Sequence, residues 1–419
     1  MENGLCAIFP FCSSMSEPSA ESSHLEAGTP AYRRANLAMF VGGFATFSLL
    51  YGPQPLLPLL SSHFGVAPAS ASLLVSAATA ALALMLIPAS LLSDRYGRAL
   101  LMKCSLTASA FFSLLMPLVQ DFQQLLVLRA LVGIAIAGLP AAAMAWLAEE
   151  IAPKAQGRAM GLYIAGNALG GMSGRFMAAL ITEWSNWQTA FFVLGLMGVA
   201  AALLFWKSVP ASRHFHPNSM QPSALVADLA RIFRDPGLPR LFLAAFVLMG
   251  AFVGLYNYLG FRLQAPPFSL GQAAIGAIFL LYVLGTWASA WSGRLVDRMG
   301  RRNVLWMMVL VMGGGLALTL FDVLLPVVGG VALFTFGFFG AHATASGWVG
   351  ERARERRALA AALYLTGYYL GASVLGSLTG LAWSWQQWPG VSLALGICVL
   401  GGLGLALQLR RLEPAKPAG

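Results

Sequence analysis

Two stretches of the sequence are near copies of each other: LSDRYGR at residues 92–98 and LVDRMGR at residues 295–301, at an offset of 203. Other residues recur at almost the same offset and in the same order along the chain. Gly138, Trp146 and Glu149 recur as Gly340, Trp348 and Glu351, and Leu162, Tyr163, Gly166, Leu169 and Gly170 recur as Leu363, Tyr364, Gly367, Leu370 and Gly371. These concordant blocks predict that the chain consists of two like halves.

The amino-acid composition is that of a protein that resides in a membrane. Of the 419 residues, 58% are hydrophobic and 10% are charged, whereas a soluble domain carries about 25% charged residues. The mean hydropathy of +0.72 also excludes a chain that is disordered throughout. The four cysteines form no CxxC pair, so neither a disulfide framework nor a zinc site is indicated. The sequence therefore predicts a polytopic membrane protein.

Apolar runs of about 20 residues, the length of a membrane-spanning helix, occur twelve times along the chain, six in each half. Because six is an even number, the two halves have the same orientation and the two termini lie on one side. The predicted fold is an all-α membrane protein of twelve transmembrane helices in two parallel six-helix repeats. The predicted spans are 36–60, 71–92, 99–119, 122–146, 158–180, 188–206, 241–263, 271–293, 303–321, 324–348, 358–382 and 390–409.

Polar stretches set the predicted domain boundaries. Residues 13–31 are rich in Ser, Glu, Pro and Ala, which is typical of disorder, and Met15 is an alternative to Met1 as the first translated residue. Residues 224–234 place apolar and charged side chains at helical spacing, which predicts an amphipathic helix on the membrane surface. The predicted units are a disordered cytoplasmic tail at 1–35, a six-helix bundle at 36–206, a linker at 207–240, a second six-helix bundle at 241–409 and a cytoplasmic tail at 410–419.

The net charge of +10 is distributed very unevenly along the chain. Of the 26 Lys and Arg residues, 23 lie in the tails, loops and span ends on the side of the termini, and the opposite loops contain none. Since Lys and Arg are in excess in cytoplasmic loops, both termini are predicted to lie in the cytoplasm. No cleavable signal peptide is visible, so the first span is expected to act as an uncleaved targeting signal. The excess of Lys and Arg is therefore explained by membrane topology, and we predict no nucleic-acid partner.

Motifs of the main enzyme classes are missing from the sequence. No Lys follows a Gly, so there is no G-K-[ST] phosphate loop for ATP. Neither an H-E-x-x-H zinc motif nor a G-x-S-x-G nucleophile motif occurs. We therefore predict a protein that is not an enzyme and needs no cofactor or metal. A receptor or scaffold with the same architecture is the alternative class.

Several motifs accompany the repeated loop. Residues 293–302 fit the pattern G-x-L-x-D-R-x-G-R-R, and Ser90 replaces the leading Gly in the first copy. Residues 50–58, 128–133 and 166–171 are similar to motifs of the first, fourth and fifth spans of one transporter family, with Asn167 in place of a Pro. Together with the six-plus-six pattern, they resemble the major facilitator superfamily. The sequence is similar in particular to the YnfM-type inner-membrane transporters, a branch among drug:proton antiporter-like and sugar-efflux proteins.

This resemblance implies a multi-pass transporter of the bacterial inner membrane that acts as a monomer. It implies alternating access to a central site, and export of a drug-like compound, sugar or organic acid in exchange for protons. The sequence leaves open the alternative of a uniporter or importer of a small polar or anionic metabolite.

The repeated loop after the second span of each half is a candidate gate. Its carboxylates have Arg neighbours with which they can pair, and its Gly residues allow a sharp turn. The alternative is that these charges only set the topology. The candidate gating residues are Asp94, Arg95, Gly97, Arg98, Gly293, Asp297, Arg298, Gly300 and Arg301.

Three arginines lie within predicted spans and away from the side of the termini: Arg129, Arg175 and Arg262. A charge at the centre of a membrane costs about 3 kcal/mol on insertion scales, so it usually faces the interior of a helix bundle. We expect Arg129 and Arg175 to contact substrate or take part in coupling. Asp121 and Glu183 can pair with them, so a structural ion pair is the alternative. Arg262 is expected to extend towards the membrane surface from the end of span 7.

No Asp or Glu lies in the middle of a predicted span, although many proton-coupled exporters keep one there. His342 is the one group within the spans that titrates near neutral pH, and it ranks first as a proton carrier; a packing role is the alternative. Other polar and aromatic side chains are expected either to line a central cavity or to make ordinary helix contacts. These are Tyr51, Gln54, Asn167, Tyr256, Asn257, Tyr258, Tyr364, Tyr368 and Tyr369.

Overall fold

Almost all of the described chain is helical. The computed structural model describes residues 24–215, 222–353 and 356–412. Before the first helix, a short backbone bridge pairs Leu25 with Ile151. The predicted tail residues 1–23 and 413–419 lie outside the described residues, as does the choice between Met1 and Met15.

Six spans form the N-terminal half. Side chains of Thr29, Asp121 and Asn186 accept a backbone hydrogen bond at the starts of spans 1, 4 and 6, as N-caps do. The helices are Pro30–Tyr51, Gln54–Leu56 and Leu57–Phe64 in span 1, Pro68–Tyr96 in span 2, Arg98–Leu115 with Met116–Leu118 in span 3, Phe122–Ile136 and Gly138–Glu150 in span 4, Pro153–Trp184 in span 5, and Trp187–Ser208 in span 6.

Six further spans form the C-terminal half, after a linker helix at Pro222–Arg234. Spans 11 and 12 follow each other without a loop, and the break between them is the non-helical backbone of Gln386 and Gln387. The helices are Leu238–Gln264 in span 7, Gln272–Ile278, Phe279–Leu281 and Tyr282–Met299 in span 8, Arg301–Leu318 in span 9, Leu324–Ala353 in span 10, and Arg357–Arg410 in spans 11 and 12.

The predicted twelve-span, all-α architecture is confirmed. In the described part of the chain, nine helical stretches are long and apolar enough to cross a membrane, and Arg357–Arg410 is long enough to cross twice. Spans 5 and 9 complete the set. Many helices extend beyond the predicted apolar runs, because a helix continues through polar residues at which an apolar run ends. Span 5, for example, is predicted at 158–180 and runs from Pro153 to Trp184, and span 1 begins at Pro30, within the predicted tail.

The bundle has two distinct ends. The described chain ends, the linker helix and the loops rich in Lys and Arg lie at one end, which we call the basic side, and the opposite end is the far side. The linker helix is anchored to the C-terminal half. Arg352 donates two hydrogen bonds of 2.9 Å to Asp235, and Arg356 donates one of 2.6 Å to Asp228. Burial by itself raises the pKa of Asp235, but the hydrogen bonds from Arg352 and two backbone N–H groups hold that pKa below its ordinary value.

Glycines bring the same pair of helices close together in both halves. A Cβ atom at Gly170 of span 5 would collide with the carbonyl oxygen of Phe44 in span 1. A Cβ atom at Gly371 of span 11 would likewise collide with the carbonyl oxygen of Phe246 in span 7. Small residues allow such close packing in membranes, so the repeated glycines of the sequence correspond to one repeated helix contact.

Candidate functional site

Hydrogen bonds join the two halves in the part of the bundle nearer the far side. They connect spans 1, 2 and 5 of one half to spans 7, 8 and 11 of the other. In the described chain they join Gln54 to Asn257 at 2.8 Å, Gln272 to the Pro55 carbonyl at 2.6 Å, the Ala273 N–H to Glu183 at 3.0 Å, Ser373 to the Ser76 carbonyl at 2.8 Å and Ser377 to the Ser76 hydroxyl at 2.6 Å.

Arg175 of span 5 lies within this contact and is only 3% exposed. Its Nε–H donates to Gln54 Oε1 at 2.6 Å, and its Nη1 donates to the carbonyl oxygen of Gly171 at 2.6 Å. A guanidinium has five N–H groups. The remaining N–H groups of Arg175 have no acceptor among the described residues, and no carboxylate pairs with it there.

Three aromatic rings surround the Arg175 guanidinium. Its central carbon lies 4.2 Å from the ring centre of Tyr51, 5.3 Å from that of Phe279 and 4.9 Å from that of Tyr282. Tyr51 belongs to the N-terminal half, whereas Phe279 and Tyr282 belong to span 8, so the cation binds rings from both halves. The hydroxyl groups of Tyr51 and Tyr282 are buried and have no hydrogen-bond partner in the described chain.

Gln54 owes its position to the prolines on either side of it. Pro53 and Pro55 have no backbone N–H to donate, so span 1 breaks here into two helices joined by a short turn. The Gln54 side chain accepts from Arg175 and donates from Nε2 to Asn257 Oδ1. Gln54 and Asn257 are 203 residues apart, which is the offset of the repeated loop, and lie on spans 1 and 7. Because these spans are equivalent in the two repeats, the amide pair lies close to the axis that relates the halves.

An aromatic cluster extends from Arg175 towards the basic side. The ring centres of Phe252 and Phe338 are 3.9 Å apart, and that of Tyr282 is 5.5 Å from Phe252. Near its other end, the ring of His342 is 4.8 Å from that of Tyr368. We define this aromatic cluster as Phe252, Tyr256, Phe279, Tyr282, Phe334, Phe338, Phe339, His342, Tyr364 and Tyr368.

Three polar groups of the aromatic cluster have identified partners. His342 Nδ1 lies 3.0 Å from the hydroxyl oxygen of Tyr364. The Tyr256 hydroxyl lies 2.7 Å from Thr335 Oγ1. No carboxylate contacts His342 among the described residues. The proton-carrier role of His342 stays a prediction.

Arg129 is as deeply buried as Arg175 but makes different contacts. Its Nε–H donates to the Leu74 carbonyl of span 2 at 2.7 Å, and its Nη groups donate to the carbonyls of Leu49, at 2.9 Å, and Leu50 in span 1. In an unbroken helix the Leu49 carbonyl would accept from the N–H of residue 53, which is a proline and has none. Arg129 therefore occupies a carbonyl that the break in span 1 leaves free.

The other ionisable groups predicted near these arginines have separate partners. Asp121 accepts from the Gln124 N–H at the start of span 4, and Glu183 accepts from the Ala273 N–H across the halves. Arg262 is 7% exposed and donates to the carbonyls of Thr319 and Phe321 and to Asp322. It thus joins span 7 to the end of span 9.

The two copies of the repeated loop are held by ion pairs within their own halves. Arg98 lies 3.2 Å from Asp94 and donates to both carboxylate oxygens of Glu149, at 2.6 Å and 2.5 Å. In the second copy, Arg301 donates to Glu351 at 2.7 Å.

The loop glycines have the same kind of backbone conformation in both copies, whereas the remaining loop charges differ in their surroundings. Gly97 and Gly300 have positive φ angles of 100° and 77°, a conformation that favours glycine. Arg95 lies over the ring of Tyr96. Gly293, Asp297 and Arg298 are exposed at the surface of the second copy. The gating role of these loops stays a prediction.

The structure brings together two groups of the residues that the sequence singled out. Tyr51, Gln54, Arg175 and Asn257 form one network, and Tyr256, His342, Tyr364 and Tyr368 belong to the aromatic cluster. Asn167 lies apart, against Gly43 of span 1.

Sequence reasoning missed two residues that contact Arg175. Tyr282 lies in an apolar run and was detectable as one of only ten tyrosines. Phe279 has no such signal, because a phenylalanine in a span is usually a packing residue.

Known proteins share this architecture. A family model described as Major Facilitator Superfamily matches residues 39–375. The inner membrane transport protein YnfM of Escherichia coli K12 is 41% identical over 398 residues, which is 95% of each chain. The uncharacterized MFS-type transporter YybF of Bacillus subtilis 168 is 40% identical over 389 residues, covering 93% of this chain and 96% of YybF. A solved structure of a bacterial homolog to the human lysosomal transporter Spinster, inward-facing and unoccupied, has a TM-score of 0.78 at 16% identity, covering 92% of this chain and 100% of that one.

Proposed function

The chain belongs to the major facilitator superfamily of membrane transporters, and we propose that it carries a small molecule across the bacterial inner membrane by alternating access. Both termini and the basic side lie in the cytoplasm. The cargo binds between the halves, beside Arg175 and the aromatic cluster.

One observation carries this proposal: the hydrogen bonds between the halves lie towards the far side and pass through buried polar groups on the axis between them. A bundle that is closed by such bonds at one end gives access from the other. Rocking of the halves then requires that these bonds break and that contacts form towards the basic side. Hydrogen bonds, each worth about 1 kcal/mol net, are suited to a bridge that opens and closes.

The transport direction in this proposal is export, in exchange for protons, as the likeness to drug:proton antiporter-like transporters suggests. His342 is the candidate proton carrier, since an imidazole can take up and release a proton and no Asp or Glu lies in the middle of a span. One observation favours the alternative of a uniporter or importer. No Asp or Glu of the sequence lies in the middle of a span, and none of the described carboxylates contacts Arg175 or His342.

Flux in proteoliposomes tests transport and its coupling. The purified protein is reconstituted, and efflux of a bound compound is measured with and without an imposed pH gradient, with empty liposomes as the control. Proton antiport predicts that the gradient drives accumulation and that substrate movement changes the pH of the lumen. Exchange that ignores the gradient would favour the uniporter, and the absence of any flux or counterflow would contradict transport.

Labelling of single cysteines tests the orientation. Cysteines placed in loops 61–70, 181–188 and 383–389 are expected to react with an impermeant maleimide from outside intact cells, whereas those in the linker at 207–240 are not. The background for this test lacks the four native cysteines. The reverse labelling pattern would contradict the proposed topology.

A further inference from the structure

The Arg175 guanidinium is a buried cation with unused hydrogen-bond donors. Two of its N–H groups are occupied, by Gln54 and by the Gly171 carbonyl, and the others have no acceptor in the described chain. The Tyr51 and Tyr282 rings contact the same guanidinium, and their buried hydroxyls have no partner either. Arg175 and the two rings that contact it thus carry unused donors, and a carboxylate is a group that accepts from such donors.

The charge at this site is also uncompensated. Among the described ion pairs, seven carboxylate contacts are made by other basic residues and none by Arg175. Taking a cation out of water without an anionic partner is costly, and three aromatic rings replace only part of its hydration. An anionic ligand would remove this cost, whereas a cationic ligand would add to it.

The surroundings define the rest of the ligand. From Arg175 the aromatic cluster continues through Tyr282 to Phe252 and Phe338, whose buried rings are apolar and carry no hydrogen-bond donors. A sugar would leave most of its hydroxyl groups without partners along this wall. An apolar body the size of one ring would instead gain from burial against it.

From these observations, and resting on the proposed transport function, we infer that the cargo is a monocarboxylate with an apolar, ring-sized body. Its carboxylate binds the Arg175 guanidinium and the hydroxyls of Tyr51 and Tyr282, and its body packs on the aromatic cluster.

Binding of such an anion also acts on the bridge between the halves. A carboxylate oxygen is a stronger acceptor for a charged donor than the neutral amide oxygen of Gln54. The ligand therefore competes with Gln54 for the Arg175 Nε–H, and Gln54 is the residue that reaches Asn257 across the axis. Occupation of the site thereby weakens the bridge that must open at the far side.

The test measures binding to the purified full-length protein, separately from transport. Thermal shift and calorimetry compare benzoate, phenylacetate and cyclohexanecarboxylate with their primary amides, which keep the shape but carry no charge. We expect the carboxylates to raise the melting temperature of the wild type. The amides should need a concentration at least about tenfold higher for the same shift. Equal binding of acids and amides, or no binding of any of these acids, would overturn the inference.

Variants assign the binding to this site. Arg175→Gln is expected to abolish carboxylate binding, Arg175→Lys to weaken it because the planar fork is lost, and Tyr282→Phe to weaken it about three- to tenfold. The matched controls are Arg34→Gln, which removes an exposed positive charge from the same half, and Tyr32→Phe, which removes a buried hydroxyl far from the site. Unchanged carboxylate affinity in Arg175→Lys and Tyr282→Phe would overturn the assignment, even where Arg175→Gln does not fold.

Counterflow of the same compounds separates this inference from the proposed function. If carboxylates bind through Arg175 but are never transported, the proposed transport function is contradicted and the inferred binding site is supported. If uncharged compounds are transported and carboxylates do not bind, the inferred cargo is contradicted and the proposed transport function is supported.

Discussion

The two halves of the protein share their helix order and their loop motif but differ in the side chains that they bury. The N-terminal half buries two arginines, Arg129 and Arg175, at 0% and 3% exposure. The C-terminal half buries most of the aromatic cluster, including Phe252 and Tyr282, and the network between the halves is completed by Asn257. Duplication thus accounts for the scaffold, and the candidate site arises where the halves differ.

Within the N-terminal half, Arg129 and Arg175 show that burial alone does not identify a binding residue. Each is almost inaccessible, and each lies beside the broken part of span 1. Arg129 uses its Nε and both Nη groups on backbone carbonyls, whereas Arg175 leaves donors unused and has no anionic partner in the described chain. Arg129 thus has more of its donors bound by the fold than Arg175 has, and the predicted substrate or coupling role of Arg129 stays a prediction.

Substitution of Arg129 is expected to have the largest effect. Arg129→Ala leaves three buried carbonyls without this partner, at a cost of about 1–3 kcal/mol each, so little folded protein should be recovered. Arg129→Lys should restore little, because an ammonium lacks the planar fork. Fluorescence size-exclusion profiles and melting temperatures measure both, with Arg34→Gln as the control. A folded but inactive Arg129→Ala protein would instead support the predicted substrate or coupling role of Arg129.

Substitution of the proposed proton carrier, His342, is expected to have the next largest effect. His342→Gln should reduce gradient-driven transport by about tenfold or more and retain substrate counterflow, because the neutral amide cannot carry a proton. The double variant Asp121→Asn/Glu183→Gln should keep gradient-driven transport, since both carboxylates are bound by backbone N–H groups away from the aromatic cluster. Unchanged gradient-driven flux in both variants would mean that none of these residues carries the proton, and would favour the uniporter.

Weakening the bridge on the axis should shift the balance between open and closed forms. Gln54→Leu and Asn257→Leu each remove the buried hydrogen bond between these two side chains. At about 1 kcal/mol, its loss changes a two-state ratio about fivefold. Distances between spin labels at Ser62 and Ser269 report opening at the far side. Ser113→Ala, which removes a bond within span 3 only, is the matched control. An unchanged distance distribution in both bridge variants would mean that the amide pair does not hold the far side closed.

The smallest expected effect is the difference in stability lost when each of the two loop ion pairs is broken. Glu149 is 31% exposed and binds Arg98 through two hydrogen bonds, whereas Glu351 is 64% exposed and binds Arg301 through one. Glu149→Gln should therefore destabilise the protein more than Glu351→Gln, by about 1 kcal/mol or less. Melting temperatures at low and high salt measure the difference. Equal losses in the two variants would show that the halves use the loop in the same way.

The sequence alone determined the membrane environment, the twelve spans and the duplication. The membrane interior restricts the charge content and the length of apolar runs along the whole chain, so both can be read from the sequence. The two loop copies could be matched by their letters, and the embedded arginines were visible because charged residues are rare in spans. Helix ends were less well determined, since a helix such as Pro153–Trp184 continues past its apolar run.

Only the tertiary structure decided what each embedded residue contacts. Arg129 and Arg175 look alike in the sequence, but their partners come from spans 1, 2 and 8, up to 121 residues away along the chain. Hydrogen-bond partners are fixed by distance in space, and a helix period restricts only neighbours on the same helix. For the same reason Phe279 carried no signal of its own, and only the rarity of tyrosine marked Tyr282, although both rings contact the buried cation. The sequence thus determined which side chains are present in the membrane, and the packing of the halves decided which of their donors remain free to bind a ligand.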